Sequence, residues 1–202
     1  MMSNRFLSNS IFYSLLFIIT SGCSTTINDK NIVFIGDSIV SGWDVECYFP
    51  YLIVNNNGLF GAKIKDICVG NYSNKLNNSD IVILAGTNDI AGYKYKKLPV
   101  NFYDSITAIY KNKILSFGAS RTIIISVLPR SDTGSEVMNG QIVYLNTKLL
   151  QMTKEVPNII FLDVFSDFTD KNGLLNFNYS ADGVHINSFG YELLSSKLSS
   201  IL

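Results

Sequence analysis

A serine, a histidine and an aspartate in this chain have the types and spacing for nucleophilic acyl chemistry. Ser38 follows the apolar run Ile32-Val33-Phe34-Ile35 and the pair Gly36-Asp37. A short β-rich run closed by glycine reads as a buried parallel strand, and the carboxyl end of such a strand is where chemistry sits in open α/β sheets. Ser38 is therefore a candidate nucleophile. His185 is the single histidine in the chain and stands three residues after Asp182. If that segment turns helically, the Asp-x-x-His spacing puts both side chains on one face. The carboxylate then accepts from one imidazole nitrogen, and the other is free to take a serine proton. Each residue also has a plain structural reading: serine after a strand caps a helix, and a lone Asp/His pair decorates a surface or a helix end. The elements that position them decide.

Apolar runs at 32–35, 51–54, 81–85, 122–127 and 159–164 predict five strands, the second ended by the turn-forming Asn55-Asn56-Asn57-Gly58. Helical spacing predicts helices over 62–77, interrupted near Gly70, and over 102–117, 141–152 and 188–198. Residues 39–48 read as a short helix or irregular loop, in which Trp43 either walls an acyl pocket or fills the core. Strands alternating with helices predict right-handed βαβ units, hence a three-layer, flavodoxin-like α/β fold with a parallel sheet covered on both faces. In that architecture the ends of the first three strands converge on one edge, which makes Ser38, Gly61 and Asn88 neighbours.

The length of 202 residues fits one domain, over 31–202, and 47% hydrophobic with 16% charged residues excludes disorder. A formal net charge of +0 leaves no electrostatic footprint for nucleic acid, so no nucleic-acid partner is expected. Lys94, Lys96 and Lys97, interleaved with Tyr93 and Tyr95, form a basic stretch that reads as a solvated loop or an attractor of anionic substrate. With one histidine and three cysteines lacking C-x-x-C spacing, no metal is predicted. The Gly-rich dinucleotide fingerprint follows none of the strands, so no cofactor is indicated. Cys47 and Cys68 read by default as buried free thiols, with pairing open.

Taken in order, Gly36-Asp37-Ser38-Ile39, Asn56-Asn57-Gly58-Leu59-Phe60-Gly61, Gly86-Thr87-Asn88-Asp89 and Asp182-Gly183-Val184-His185 resemble the four sequence blocks of the SGNH hydrolases, the GDSL esterases and lipases, over roughly 31–202. The resemblance implies Ser38 as nucleophile, His185 as general base and then acid, and Asp182 as the group orienting it. It implies an oxyanion hole from the backbone N–H groups of Ser38 and Gly61 and the side-chain amide of Asn88. Gly70 is the other candidate for the oxyanion glycine; Gly61 fits the second block better. Three departures remove no reacting atom: Ile39 replaces a leucine, Ala62 an aspartate, and Ile186 a proline. The implied activity is ester hydrolysis through an acyl-serine intermediate, with short acyl or O-acetyl esters of carbohydrate the leading substrates. Lysophospholipase or thioesterase action is the alternative, and a non-catalytic surface binding protein on the same fold the reading from another class.

Residues 1–22 carry Arg5, an apolar run over 11–19 too short to span a bilayer, and then Thr20-Ser21-Gly22 before Cys23. This is the layout of a secretory signal. Ile19-Thr20-Ser21-Gly22-Cys23 resembles the bacterial lipobox, which implies cleavage, lipidation of Cys23 and a tether over 24–30. The protein is then exported and anchored to the cell envelope, at the outer membrane where there is one. A plain signal peptide, with a periplasmic or secreted product, is the alternative.

Overall fold

The structure is a computed structural model describing residues 31–67, 76, 79–93 and 95–202. Strand β1 (Asn31–Gly36) leads into two short helices, α1 (Ser38–Ser41) and α2 (Val45–Tyr48), and then β2 (Ile53–Gly58). There follow β3 (Ser79–Leu84), α3 (Thr87–Ala91), α4 (Val100–Phe117), β4 (Arg121–Ile125), α5 (Ser135–Thr153), β5 (Ile159–Leu162) and α6 (Ser188–Ser199). Every strand pairing is parallel and the order across the five-stranded sheet is β2-β1-β3-β4-β5. The chain turns one way from β1 to β2 and the other way from β3 onward, which opens a crevice at the carboxyl ends of β1 and β3. This is the three-layer parallel α/β fold expected from the sequence.

The alternation of side chains along the strands divides the core into two halves. Val33, Ile35, Ile81, Ile83 and Ile124 pack with the buried stripes of α4 and α5. Ile32, Phe34, Val82, Leu84, Ile123 and Ile125 pack on the other face with Trp43 and with Leu194 and Leu198 of α6. Trp43 is a core residue: its ring meets Phe34, Phe49 and Tyr191, and its Nε1–H donates to Ser195 Oγ at 3.0 Å.

Several elements differ from the sequence reading. The asparagines expected to end the second strand are its body, and 51–52 lie before it. Polar residues form a strand here because β2 is an edge and their amides have partners. Asn55 Nδ2 donates to Asn31 Oδ1 at 2.6 Å, while Asn56 Nδ2 donates to the Val40 and Trp43 carbonyls at 2.7 and 2.8 Å. Residues 62–67 form turns rather than the start of a helix, and the rest of that predicted helix, with Gly70 and Cys68, lies outside the described residues. Helix α5 starts at Ser135, six residues before the apolar stripe suggests, because its inner face is partly polar. Asn139, Gln141 and Asn146 are buried there and hold loop backbone: Asn139 bonds Arg130 N and O, Gln141 bonds Leu98 N, and Asn146 bonds Val127 N and O. Cys47 is a free thiol and exposed rather than buried, since α2 turns it outward.

Candidate active site

The site is assembled at the carboxyl edge of the sheet. Gly36 ends β1 with no positive φ, so its role is space: a Cβ there would run into the Leu84 carbonyl and Val40. Gly58, at the end of the neighbouring β2, meets the Ser41 backbone in the same way. The two glycines let α1 settle directly on the strand ends. Asp37 is the N-cap of α1, with extended backbone and a side chain that accepts the Ile39 N–H at 2.9 Å. Ser38 is then the first helical residue, and its N–H, like the others of a first turn, has no intrahelical acceptor and faces the crevice end of the helix.

Ser38 Oγ lies 2.9 Å from His185 Nε2, and His185 Nδ1 lies 2.7 Å from Asp182 Oδ2. A carboxylate only accepts, so Nδ1 carries the proton, and Nε2 is left with the lone pair to accept from the serine hydroxyl. The Asp182/His185 segment is not helical. Asp182 Oδ1 instead accepts from the backbone N–H of Val184 and of His185 at 2.8 and 2.7 Å, an Asx-type turn that brings positions three apart together without a helix. Partial burial works against the Asp182 charge, but bonds from the His185 ring and these two N–H groups prevail and hold its pKa well below the usual carboxylate range. It is an anion wherever the histidine could act as a base.

Gly61 follows β2 with φ of +70°, the left-handed region that glycine adopts at little cost, and nothing lies within 4 Å of where its Cβ would be. Its N–H makes no backbone hydrogen bond among the described residues. Asn88 is the second residue of α3, the helix that starts where β3 ends. Its Nδ2 donates to the Ala62 carbonyl at 3.0 Å, which leaves the second amide hydrogen of the same nitrogen. Ser38, Gly61 and Asn88 thus stand at the ends of three adjacent strands.

Several residues that no sequence pattern singles out hold these groups. Arg130 is buried beyond β4, donates from Nη1 to Thr87 Oγ1 at 3.0 Å, and forms a fork-to-fork pair with Asp132 at 2.8 and 2.7 Å. The next residue, Ser131, donates its N–H to the Gly183 carbonyl at 2.9 Å, between Asp182 and His185. The Asn88 helix and the histidine loop are therefore braced by one segment. From the other side, Tyr191 Oη on α6 donates to the Ile39 carbonyl at 2.7 Å, joining the helix after His185 to the helix of Ser38. Burial pushes the Tyr191 hydroxyl up to about 12, so it stays a donor. Asp37 and Asp89 are both buried, and desolvation pushes each carboxyl up to about 6, against the pull of backbone N–H groups, foremost that of Ile39 on Asp37 and that of Ile64 on Asp89.

The fold and this constellation define the class, a parallel α/β scaffold that carries a serine, histidine and aspartate in line at its carboxyl edge. Residues 34–193 match the model of the GDSL-like Lipase/Acylhydrolase family, and the chain belongs to that family. An N-acylneuraminate cytidylyltransferase of Escherichia coli is 30% identical over 179 residues, covering 86% of this chain and 40% of that enzyme. The chain spans about two fifths of the length of that curated relative. Among solved structures, a Streptococcus pneumonia protein named for platelet activating factor aligns over 88% of this chain and 86% of its own, at 26% identity and a TM-score of 0.66. An acetylxylan esterase of Geobacillus stearothermophilus shares the fold over 85% of this chain and 93% of its own, at 18% identity and a TM-score of 0.64.

Proposed function

We propose that Ser38 is the nucleophile of an esterase that removes short acyl groups, foremost O-acetyl groups, from carbohydrate. One observation carries the catalytic part: the unbroken line from Ser38 Oγ through His185 to Asp182, at the edge shared with Gly61 and Asn88. Ser38 Oγ attacks the ester carbonyl carbon as its proton passes to Nε2. The carbonyl oxygen becomes an oxyanion held by the N–H groups of Ser38 and Gly61 and by Asn88 Nδ2, each donor worth about 3–4 kcal/mol. Collapse breaks the bond to the alcohol oxygen, which leaves with the proton from Nε2. Water then attacks the acyl-serine, gives its proton to Nε2, and the acid departs as Ser38 regains that proton.

Two things support the carbohydrate part. A cavity of about 430 Å³ beyond the end of β4, beside the segment that braces the histidine loop, is lined by Tyr95, Ser131, Ser135 and Glu136 together with Val137 and Leu174, a mixed aromatic, apolar and polar wall that can take the face and edge of a sugar ring. Two of the similar proteins, the acetylxylan esterase and the N-acylneuraminate enzyme, are named for sugar derivatives. A second reading, action on lysophospholipids or thioesters, is favoured by Leu59 and Phe60, exposed immediately before Gly61, and by exposed Phe189 just after His185. Nitrophenyl esters from acetyl to dodecanoyl, with acetylated xylo-oligosaccharides, separate the two. The first reading expects kcat/KM to be highest for acetyl groups; a rate that climbs steadily with chain length selects the second.

The proposed place of action is the cell envelope, on the lipobox-like residues 19–23. Removal of 1–22 and acylation of Cys23 would hold the enzyme to a membrane surface through more than one chain, the outer membrane where there is one, with 24–30 as tether. Metabolic labelling with a fatty-acid analogue is expected to depend on Cys23. Label that persists in Cys23→Ser contradicts the anchor.

A further inference from the structure

Asn88 and Asp89 are consecutive on α3, and both reach across the crevice edge to the same short loop. Asn88 Nδ2 donates to the Ala62 carbonyl at 3.0 Å, and Asp89 Oδ2 accepts the Ile64 N–H at 2.9 Å. That loop begins at Gly61. Within it the Ala62 N–H donates back to the Leu59 carbonyl at 3.1 Å, Leu59 N–H being tied to the Gly36 carbonyl at 2.9 Å, and the Lys63 carbonyl accepts from the Asp66 and Ile67 N–H groups at 2.8 and 3.2 Å. Gly61 itself is in a left-handed conformation with open space where a Cβ would be, so no packing of its own fixes the direction of its N–H. The direction must come from the residues on either side, and on the carboxyl-terminal side the two bonds from α3 supply it.

We propose that Asp89 is a positioning residue for the oxyanion hole, clamping the 61–64 loop to α3 so that the Gly61 N–H and the Asn88 amide are set as one unit. The inference rests on the oxyanion roles proposed above for Gly61 and Asn88. Geometry makes the clamp specific. An acceptor at position 89 is needed because Ile64 offers a backbone N–H inside the core, where its side chain is fully buried and water does not replace a lost partner. The carboxylate is kept there at a cost, since Asp89 is itself 5% exposed, and burial raises its pKa to about 6 although the Ile64 N–H and Lys63 favour the charge. A leucine would serve core packing better. The acidic residue is retained for what it accepts.

The bond also gives the motif Gly86-Thr87-Asn88-Asp89 a division of labour. Thr87 Oγ1 receives Arg130, whose segment braces the histidine loop through Ser131. Asn88 faces the reacting oxygen and the Ala62 carbonyl, and Asp89 holds the far end of the glycine loop. Three consecutive side chains of one short helix thus register the two remaining parts of the site against each other.

The test is a double-mutant cycle on the purified protein with nitrophenyl acetate, using Asn88→Ala, Asp89→Ala and the double variant, alongside melting temperatures. Asp89→Ala is expected to lower kcat by about tenfold to 10²-fold, with KM nearly unchanged, because a misaimed donor fails only against transition-state charge. The double variant is expected to be little slower than Asn88→Ala alone, since both changes disable the same hole. Asp89→Asn offers an amide oxygen to Ile64 and is expected to recover most of the rate lost in Asp89→Ala. Asp89→Leu, which fills the space, repeats the comparison if the alanine variant does not fold. A folded Asp89→Ala with wild-type kcat overturns the proposal. So does a double loss equal to the product of the single losses, or an asparagine variant no faster than the alanine one. Wild-type protein inert toward every ester defeats the catalytic assignment itself, whereas active wild type beside an unimpaired Asp89→Ala defeats only the role of Asp89.

Discussion

Asp182 does two things with two oxygens, and a substitution can separate them. Oδ1 builds the Asx-type turn through the Val184 and His185 N–H groups, while Oδ2 faces His185 Nδ1. In Asp182→Asn the amide oxygen can keep the turn, but the amide nitrogen is a donor and no longer fixes the proton on Nδ1. Turnover is expected to fall by about 10³–10⁴-fold, with the melting temperature changed little, as measured by ester hydrolysis and thermal unfolding of the same preparation. The side chains proposed to react are legible in the sequence because chemistry restricts their types: a serine after a strand, a single histidine, and an aspartate three residues before it. Asp89, Thr87 and Arg130 are not, since their partners lie across the fold. Asp89 binds a backbone group 25 positions away and Arg130 a threonine 43 positions away. The Asp-x-x-His spacing brings the two side chains together only if the segment turns; the turn is made by the aspartate side chain itself rather than by a helix.

At the level of elements, the site depends on loops that touch through glycine. Gly183 has φ of +80°, and a Cβ there would lie 2.7 Å from Asp132 N and 2.9 Å from the Ser131 carbonyl carbon, the segment that braces the histidine loop. Gly183→Ala is expected to destabilise the protein by about 1–3 kcal/mol, through strain and overpacking, and also to lower kcat, because relief of the clash displaces Asp182 and His185 together. Urea unfolding and steady-state kinetics check the two effects. Buried strands were the easiest elements to read: β1, β3 and β4 are continuous apolar runs covered on both faces. Strand β2 was misplaced because its residues are chosen for side-chain hydrogen bonds to α1 and β1 rather than for burial, so turn-forming asparagines stand in extended backbone. Gly36, which closes β1, is there for the close approach of α1 to β3.

For the molecule as a whole, the carboxyls beneath the crevice predict an unusual pH dependence of stability. Burial raises Asp37 and Asp89 from the usual 3.8 to about 6, helped at Asp37 by Asp89 and at Asp89 by Asp66, while backbone N–H groups, His185 at Asp37 and Lys63 at Asp89 oppose the shift. Between those values the folded protein holds protons that the unfolded chain has released. Their contribution is therefore full below about pH 4, lost as pH rises through 6, and absent above it. Asp182 has the opposite sign, since its lowered pKa adds stability above 3.8 that is lost on further acidification. Wild type is expected to lose up to about 3 kcal/mol relative to Asp37→Asn between pH 4 and 7, read from urea unfolding at a series of pH values; parallel curves would refute it. Asparagine caps a helix as well as aspartate, so the comparison isolates the charge. Whether one activated serine, Ser38, carries the proposed chemistry is read from intact-protein mass after treatment with a fluorophosphonate. A single adduct is expected on wild type, mapped to Ser38, and none on folded Ser38→Ala. An unlabelled wild type, or an adduct that survives the substitution, would contradict that role.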